Sequence, residues 1–317
     1  DGVGLADCAI AESKFEKGED ISARMLALIP RMNDIRRSGT PDIELAATGL
    51  LARSQLASGR ADDAHRTLET LYNRFAETGQ TRFLPNVDAM LCRVALHTGD
   101  HETADVWYRE KAPRDPMHIN IMRRYQYFTQ AMVELTNSRN DAALLTLAPM
   151  EPYCRSCARH IDGIHLAVLR AITLRREKDD AWAAQLTAAL ETAAEYGFIR
   201  TISVYGAAIL PLLEDIYWDG SATWFKRLMS DVRVQAACYP AFLQPRLTRG
   251  EALTDTELQV LRLICADKSN AEIGQTLDIK LPTVKTHVSH ILDKLGVNRR
   301  SEAKTAAKKL WLVPEER

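Results

Sequence analysis

The chain is 317 residues long, carries a formal net charge of −1, and is 46% hydrophobic and 26% charged. That composition is ordinary for a globular protein and rules out a polycation, while 15 Gly and 12 Pro are too few for long irregular regions. No apolar run reaches the ~18 residues that a membrane helix needs, and no basic start leads into an apolar run. Neither a membrane partner nor a signal peptide is therefore expected, and a cytoplasmic location is.

Five segments of the first three quarters align with one another. They are FEKGEDISA from Phe15, LASGRADDA from Leu56, LHTGDHETA from Leu96, LTNSRNDAA from Leu135 and LRREKDDAW from Leu174. Their starts lie roughly 40 residues apart, the period of helix-pair repeats. Each segment reads as a helix end, a turn, acidic residues and an alanine. Gly18, Gly59 and Gly99 stand where a helix ends in a left-handed residue, and the acids that follow suit the positive end of the next helix. Ser138 and Glu177 replace the glycine in the last two segments; because Glu is a poor left-handed residue, another turn shape is expected at Glu177. Ala23, Ala64, Ala104, Ala142 and Ala181 are the expected points of close helix–helix approach. Between the turns the apolar spacing is helical, as in Leu45, Ala46, Leu50, Leu51 and Leu56. The pattern resembles tetratricopeptide (TPR) repeats with longer helices. Residues 1–235 are expected to form an all-α, TPR-like superhelix.

Helices continue through Glu195 to Asp215 and are broken by YWDGSATW. Residues 236–249, with Pro240 and Pro245, read as a linker. Residues 250–317 are expected to form a four-helix domain. Thr254 with Glu257 and Ser269 with Glu272 are capping boxes, each opening a helix. A tight connection, Asp278-Ile279-Lys280, leads into a third helix over 282–295. Its apolar face is Val284, Val288, Ile291, Leu292 and Leu295, and Gly296 ends it. Ser301 can cap a fourth. Charge is divided here: eight basic residues and two acidic ones lie between Lys280 and Lys309, whereas residues 251–278 are mostly acidic. Such asymmetry suits an anionic partner.

Helix, short helix, tight turn and longer helix is the helix-turn-helix plan. The residues LT..E..VL, SN.EI, L.I, TVK.H...I..KLGV and R.EA, from Leu253 to Ala303, resemble the C-terminal DNA-binding domain of LuxR-type transcription regulators across the whole module. Joined to helical repeats, the chain further resembles the C-terminal part of the MalT-like, large ATP-binding LuxR regulators. No G-x-x-x-x-G-K-[ST] occurs in it, so nothing supports ATP binding by this chain. It begins at Asp1 rather than Met. An ATPase module either lies upstream in a longer protein or was never part of it.

The resemblance implies base contacts from Lys285, Thr286 and Ser289, on the face of the third helix away from its apolar stripe. Lys can donate to guanine O6 or N7, and Thr offers a hydroxyl or a methyl. Thr283, His287, Arg299, Arg300 and Lys304 are placed for phosphate. The family dimerises through the fourth helix, where Ala303, Ala306, Ala307 and Leu310 form a small-residue stripe that would serve packing inside one domain equally well. The sequence departs from the family at Ala271, at Asp267, and at Lys280, where a capping hydroxyl is usual and its loss costs about 0.5–2 kcal/mol.

Two other constellations carry less. Cys154, Cys157, His160 and His165 have a metal-like spacing but sit in a repeat helix, where buried cysteines are the simpler reading. The six cysteines of the chain are too thinly spread for a disulfide framework. Arg123, Arg124, Tyr125 and Tyr127 would line the concave groove and hold an acidic effector or partner, or else form a helix surface of snorkelling side chains. No catalytic grouping, metal site or cofactor is expected. The expectation is a transcription regulator: double-stranded DNA bound by the C-terminal domain, an effector or partner received by the repeats, and RNA polymerase and a second copy on DNA as further candidate partners. The alternative is a TPR-like interaction scaffold whose helix-turn-helix is vestigial or protein-binding.

Overall fold

The computed structural model describes residues 4–21, 33–37, 40–114, 123–245, 253–295, 297 and 299–309. These residues form helices and no strand. The chain divides into two compact units, Asp1–Gln244 and Pro245–Arg317. No helix among the described residues is long and apolar enough to cross a membrane.

The first unit contains α1 (Leu5–Glu16), α2 (Pro41–Ala57), α3 (Ala61–Glu77), α4 (Leu84–Thr98), α5 (His101–Glu110), α6 (Arg124–Thr136), α7 (Asn140–Leu147) and α8 (Met150–Ser156). It continues with α9 (His160–Arg176), α10 (Ala181–Tyr196), α11 (Arg200–Ser203), α12 (Gly206–Asp215) and α13 (Ala222–Cys238). Successive helices pack as antiparallel pairs, α2 with α3, α4 with α5, α6 with α7 and α9 with α10. Within each pair, long apolar side chains such as Leu68, Leu71 and Phe75 of α3 are buried in one continuous core. Each such side chain contributes about 1.5–3 kcal/mol of burial.

The five repeat turns share one geometry. Gly18, Gly59 and Gly99 have φ of 72, 75 and 74°, and Ser138 has φ 56°. In each turn the next residue's N–H reaches back to the last helical turn: Arg60 to the Gln55 carbonyl (2.9 Å), Asp100 to Ala95 (2.9 Å), Arg139 to Glu134 (2.8 Å). This is the Schellman arrangement. The fifth turn differs from expectation. Glu177 is right-handed (φ −76°), and Lys178 takes the left-handed place at φ 60°. Asp179 N–H then closes the same bond to Leu174 O (2.9 Å). Helix geometry, not residue type, sets the turn. The inward residues likewise shift by one in the later repeats. Ala64, Ala104 and Ala143 are buried, whereas Ala142 is half-buried and Ala181 exposed beside a buried Trp182. Ala23 lies outside the described residues.

The linker expected over 236–249 starts later in the structure. Helix α13 runs through Cys238, and Tyr239, Phe242 and Leu243 are buried in the repeat core. Tyr239 Oη donates to Leu56 O (2.8 Å), and Gln235 Nε2 to Ala57 O (2.8 Å). Ile199 N–H donates to Glu16 O (2.6 Å), and Thr201 Oγ1 to a Glu16 carboxylate oxygen (2.7 Å). The last helices of this unit are therefore bonded to α1 and α2.

The second unit holds α14 (Asp255–Cys265), α15 (Asn270–Leu277), α16 (Leu281–Lys294) and α17 (Arg300–Lys309). Its core is Leu253, Val260, Leu261, Ile264, Ile273, Val284, Ile291 and Ala307. Both capping boxes form, Thr254 with Glu257 and Ser269 with Glu272. Asp267 (φ 60°) and Asp278 (φ 52°) occupy the left-handed positions that end α14 and α15. Ser301 is no cap: α17 begins at Arg300, and the Arg299 N–H is taken by Glu302 (3.2 Å). Gly296 lies outside the described residues.

Candidate nucleic-acid interface

Helix α16 is positioned from below by its apolar residues. Val284 and Ile291 are fully buried, and Val288 and Leu295 pack against the same core. Leu292, expected in this stripe, stands half-buried at its edge. The helix makes its first bond from Val284 N–H to Lys280 O (3.1 Å), so Lys280 occupies the capping position with a side chain that offers no acceptor. The turn before it is held by Ile279 N–H on Gly274 O (3.0 Å).

That anchoring leaves the opposite face free. Lys285, Thr286, Ser289 and Thr283 are exposed, and His287 is half-buried. Thr286 Oγ1 donates to Pro282 O (3.1 Å), which spends the hydroxyl proton within the helix. Its methyl and oxygen lone pairs remain to face a ligand. Fourteen residues make α16 about 21 Å long, and the three candidate base readers occupy its first two-thirds.

The second end of α16 is fixed by charge. Glu257 is almost wholly buried yet bonded: its carboxylate receives the Thr254 N–H (2.7 Å) and Lys294 Nζ (2.7 Å), with His290 Nδ1 at 3.8 Å. Burial works to raise the Glu257 pKa, but Lys294 and Thr254 outweigh it and hold it below the ordinary carboxylate value. The sequence reading missed this tie because its two ends are 37 residues apart.

The candidate phosphate residues separate into two groups. Arg299 has a side chain 81% exposed and held only by a 4.0 Å ion pair with Glu302. Arg300 instead donates to Asn270 Oδ1 (3.0 Å) and to the Lys268 carbonyl, and Lys304 pairs with Asp267 (2.5 Å). These two side chains tie α17 to the turn between α14 and α15. The small-residue stripe is also turned inward. Ala303 and Ala307 have no accessible surface, and α17 packs on α14. Small residues here permit close approach inside one domain, so neither has surface to give to a second copy. Ala306 is half-buried, and Leu310 lies outside the described residues.

In the repeat unit, the Arg123, Arg124, Tyr125 and Tyr127 set divides around α6. Arg124 and Tyr125 line an interior cavity. Tyr127 is buried toward a different groove, and Arg123 is exposed. The metal-like set does not converge: Cys154 is buried, Cys157 exposed, His160 bonded to Tyr196 (3.2 Å) and His165 to Tyr205 (2.9 Å).

Fold and site together define a helical-repeat unit followed by a helix-turn-helix domain. Residues 29–217 match the sequence model of the MalT-like TPR region, and residues 251–307 that of the bacterial regulatory proteins of the luxR family. The chain belongs to the MalT-like TPR family and carries a LuxR-family domain at its C-terminal end. Similar curated proteins include the HTH-type transcriptional regulator MalT of Vibrio parahaemolyticus, 24% identical over 94% of this chain and 34% of that protein. The MalT of Klebsiella pneumoniae is 25% identical over 87% and 33%, and that of Yersinia pestis 26% over 85% and 32%. The chain thus spans about a third of the length of these relatives. No solved structure matches.

Proposed function

We propose that this chain is the sensing and output portion of a DNA-binding transcriptional regulator. The second unit binds double-stranded DNA with α16 in the major groove, and the repeat unit receives the signal. The observation that carries the reading is α16 itself: one face locked into the core by Val284 and Ile291, the other presenting Lys285, Thr286 and Ser289. Lys285 donates to a guanine edge, while Thr286, its proton already spent, offers its methyl to a thymine or accepts from an exocyclic amine. Thr283, His287 and above all Arg299 supply phosphate contacts. Arg300 and Lys304 contribute positive field while holding α17 in place. The names of the relatives, all transcriptional regulators, favour the same reading.

The test is binding-site selection from a random duplex library, followed by titration of the selected site against a scrambled one at several salt concentrations. Lys285→Ala is expected to cost about 1–3 kcal/mol on the selected site and to relax preference at one position. Arg299→Ala is expected to weaken both duplexes alike and to lower the salt slope by about one. A specific-to-scrambled ratio near unity for the unaltered chain would favour the interaction-scaffold reading instead.

A further inference from the structure

The cavity inside the repeat unit has a volume of about 530 Å³, within the range of sites that enclose a small organic molecule. It is lined by residues of α1 to α4, α6 and α9 and by the α10–α13 segment that returns to α1 and α2. Apolar side chains such as Phe15, Met90, Phe128, Met132 and Phe242 make much of its wall. Among them stand five arginines, Arg53, Arg93, Arg124, Arg159 and Arg200.

Four of these are neutralised. Arg53 pairs with Glu12 and Glu16, Arg124 and Arg159 share Asp162, and Arg200 pairs with Asp231. Arg93 is different. Among the described residues it has no carboxylate partner. Its Nε donates to Thr129 Oγ1 (2.8 Å), its Nη2 to Tyr125 O (3.1 Å), and its guanidinium lies over the Tyr125 ring at 3.4 Å from the centroid. Those contacts fix the group without cancelling its charge, and Nη1 has no acceptor among the described residues. Five guanidiniums thus face four carboxylates. A cation that a ligand covers and dries is costly unless the ligand itself pairs with it. The same positive field, added to burial, holds the neighbouring His165 neutral, its pKa well below the ordinary value.

We infer that this cavity binds a small organic monoanion, a carboxylate joined to an apolar body, with the carboxylate on Arg93 and the body against Phe128 and Met132. The charge count argues for one negative group rather than several, and the apolar wall argues against a bare inorganic ion. The inference rests on the reading of the repeat unit as the signal receiver and names the chemistry of that signal. Bound there, the anion would bridge α4 and α6, so binding should also raise the unfolding temperature of the repeat unit.

The experiment uses the full chain with 4-phenylbutyrate and octanoate as probes, 4-phenylbutyramide as the neutral counterpart and inorganic phosphate as the bare anion. Calorimetric titration is expected to show one site per chain for a carboxylate probe, at least ~10-fold weaker binding of the amide, and none of phosphate. Arg93→Met should abolish the preference for acid over amide, while Arg93→Lys should retain part of it. Should Arg93→Met fail to fold, Met132→Trp, which fills the cavity, must block the probes in a chain that keeps Arg93. Equal binding of acid and amide, phosphate binding as well as the carboxylates, or no binding by either carboxylate would overturn the inference. The DNA titration without probe is independent of this result, so failure of one reading is distinguishable from failure of the other.

Discussion

Gly274 lies inside α15, where replacing glycine with alanine ordinarily stabilises a helix by about 1 kcal/mol. Here the opposite sign is expected. A Cβ at position 274 would lie 2.8 Å from the Ile279 carbonyl oxygen and 3.5 Å from Val284 Cγ2. The first neighbour is backbone, in the turn that aims α16, and it cannot swing aside as a side-chain end can. The turn must open by roughly half an ångström, which adds an overpacking cost of about 1–3 kcal/mol. Set against the propensity gain, Gly274→Ala should destabilise the second unit by up to about 2 kcal/mol. Gly163 in α9 provides the control within the same chain: its added Cβ would meet nothing nearer than Cys154 Cβ at 4.0 Å. Gly163→Ala should therefore stabilise the repeat unit by up to about 1 kcal/mol. Amide hydrogen exchange reads each unit separately. Peptides from 255–309 should exchange faster in Gly274→Ala, by up to about 30-fold, and peptides from α9 slower in Gly163→Ala. Slower exchange across 255–309 in Gly274→Ala would refute the claim that the turn is closed by backbone contact.

Lys178 is exposed and left-handed at φ 60°, a conformation glycine adopts without strain. Lys178→Gly is expected to raise the unfolding temperature of the repeat unit by about 1–3 °C by calorimetry, from a gain of about 0.5–1 kcal/mol. Burial lowers the pKa of His97 to about 4, where the ring stacks on Phe242 at 3.7 Å. His97 is thus neutral in the folded chain, and its unfolded form protonates near pH 6.5. Stability should be level above that pH and fall by about 3 kcal/mol between pH 6.5 and 4 on account of this residue, with His165 adding to the loss. Urea midpoints measured across that range should show the fall, and His97→Gln should flatten part of it; an unchanged slope in that variant would place its origin elsewhere.

The repeat architecture was legible because its turns use glycine, and three glycines at a roughly 40-residue spacing mark a period that apolar patterning alone does not. The fifth turn misled for the same reason. A lysine carries no sign of a left-handed backbone, so the alignment anchored on Leu174 pointed to Glu177, one residue early. The capping boxes and the inward face of α16 were readable because their partners lie within four residues of one another along a helix. The alanine stripe of α17 was ambiguous in principle, since small residues permit close packing on whichever side a neighbour lies; burial of Ala303 and Ala307 decides for the inside. The arginine-lined cavity was the least legible feature. Of its charged and aromatic lining only Arg124 and Tyr125 were picked out as a ligand site, because Arg53, Arg93, Arg159 and Arg200 come from separate parts of the chain and share no local spacing.

The bonds from Ile199, Thr201, Gln235 and Tyr239 to Glu16, Leu56 and Ala57 have a consequence for how this unit can change over time. In an open stack of repeats each member answers only to its neighbours, so copies can be gained or lost at little cost and the ends fray first. Joining α1 and α2 to α11 and α13 closes the ladder between them. Between those helices the repeat number becomes fixed, because one further helix pair would part the seam.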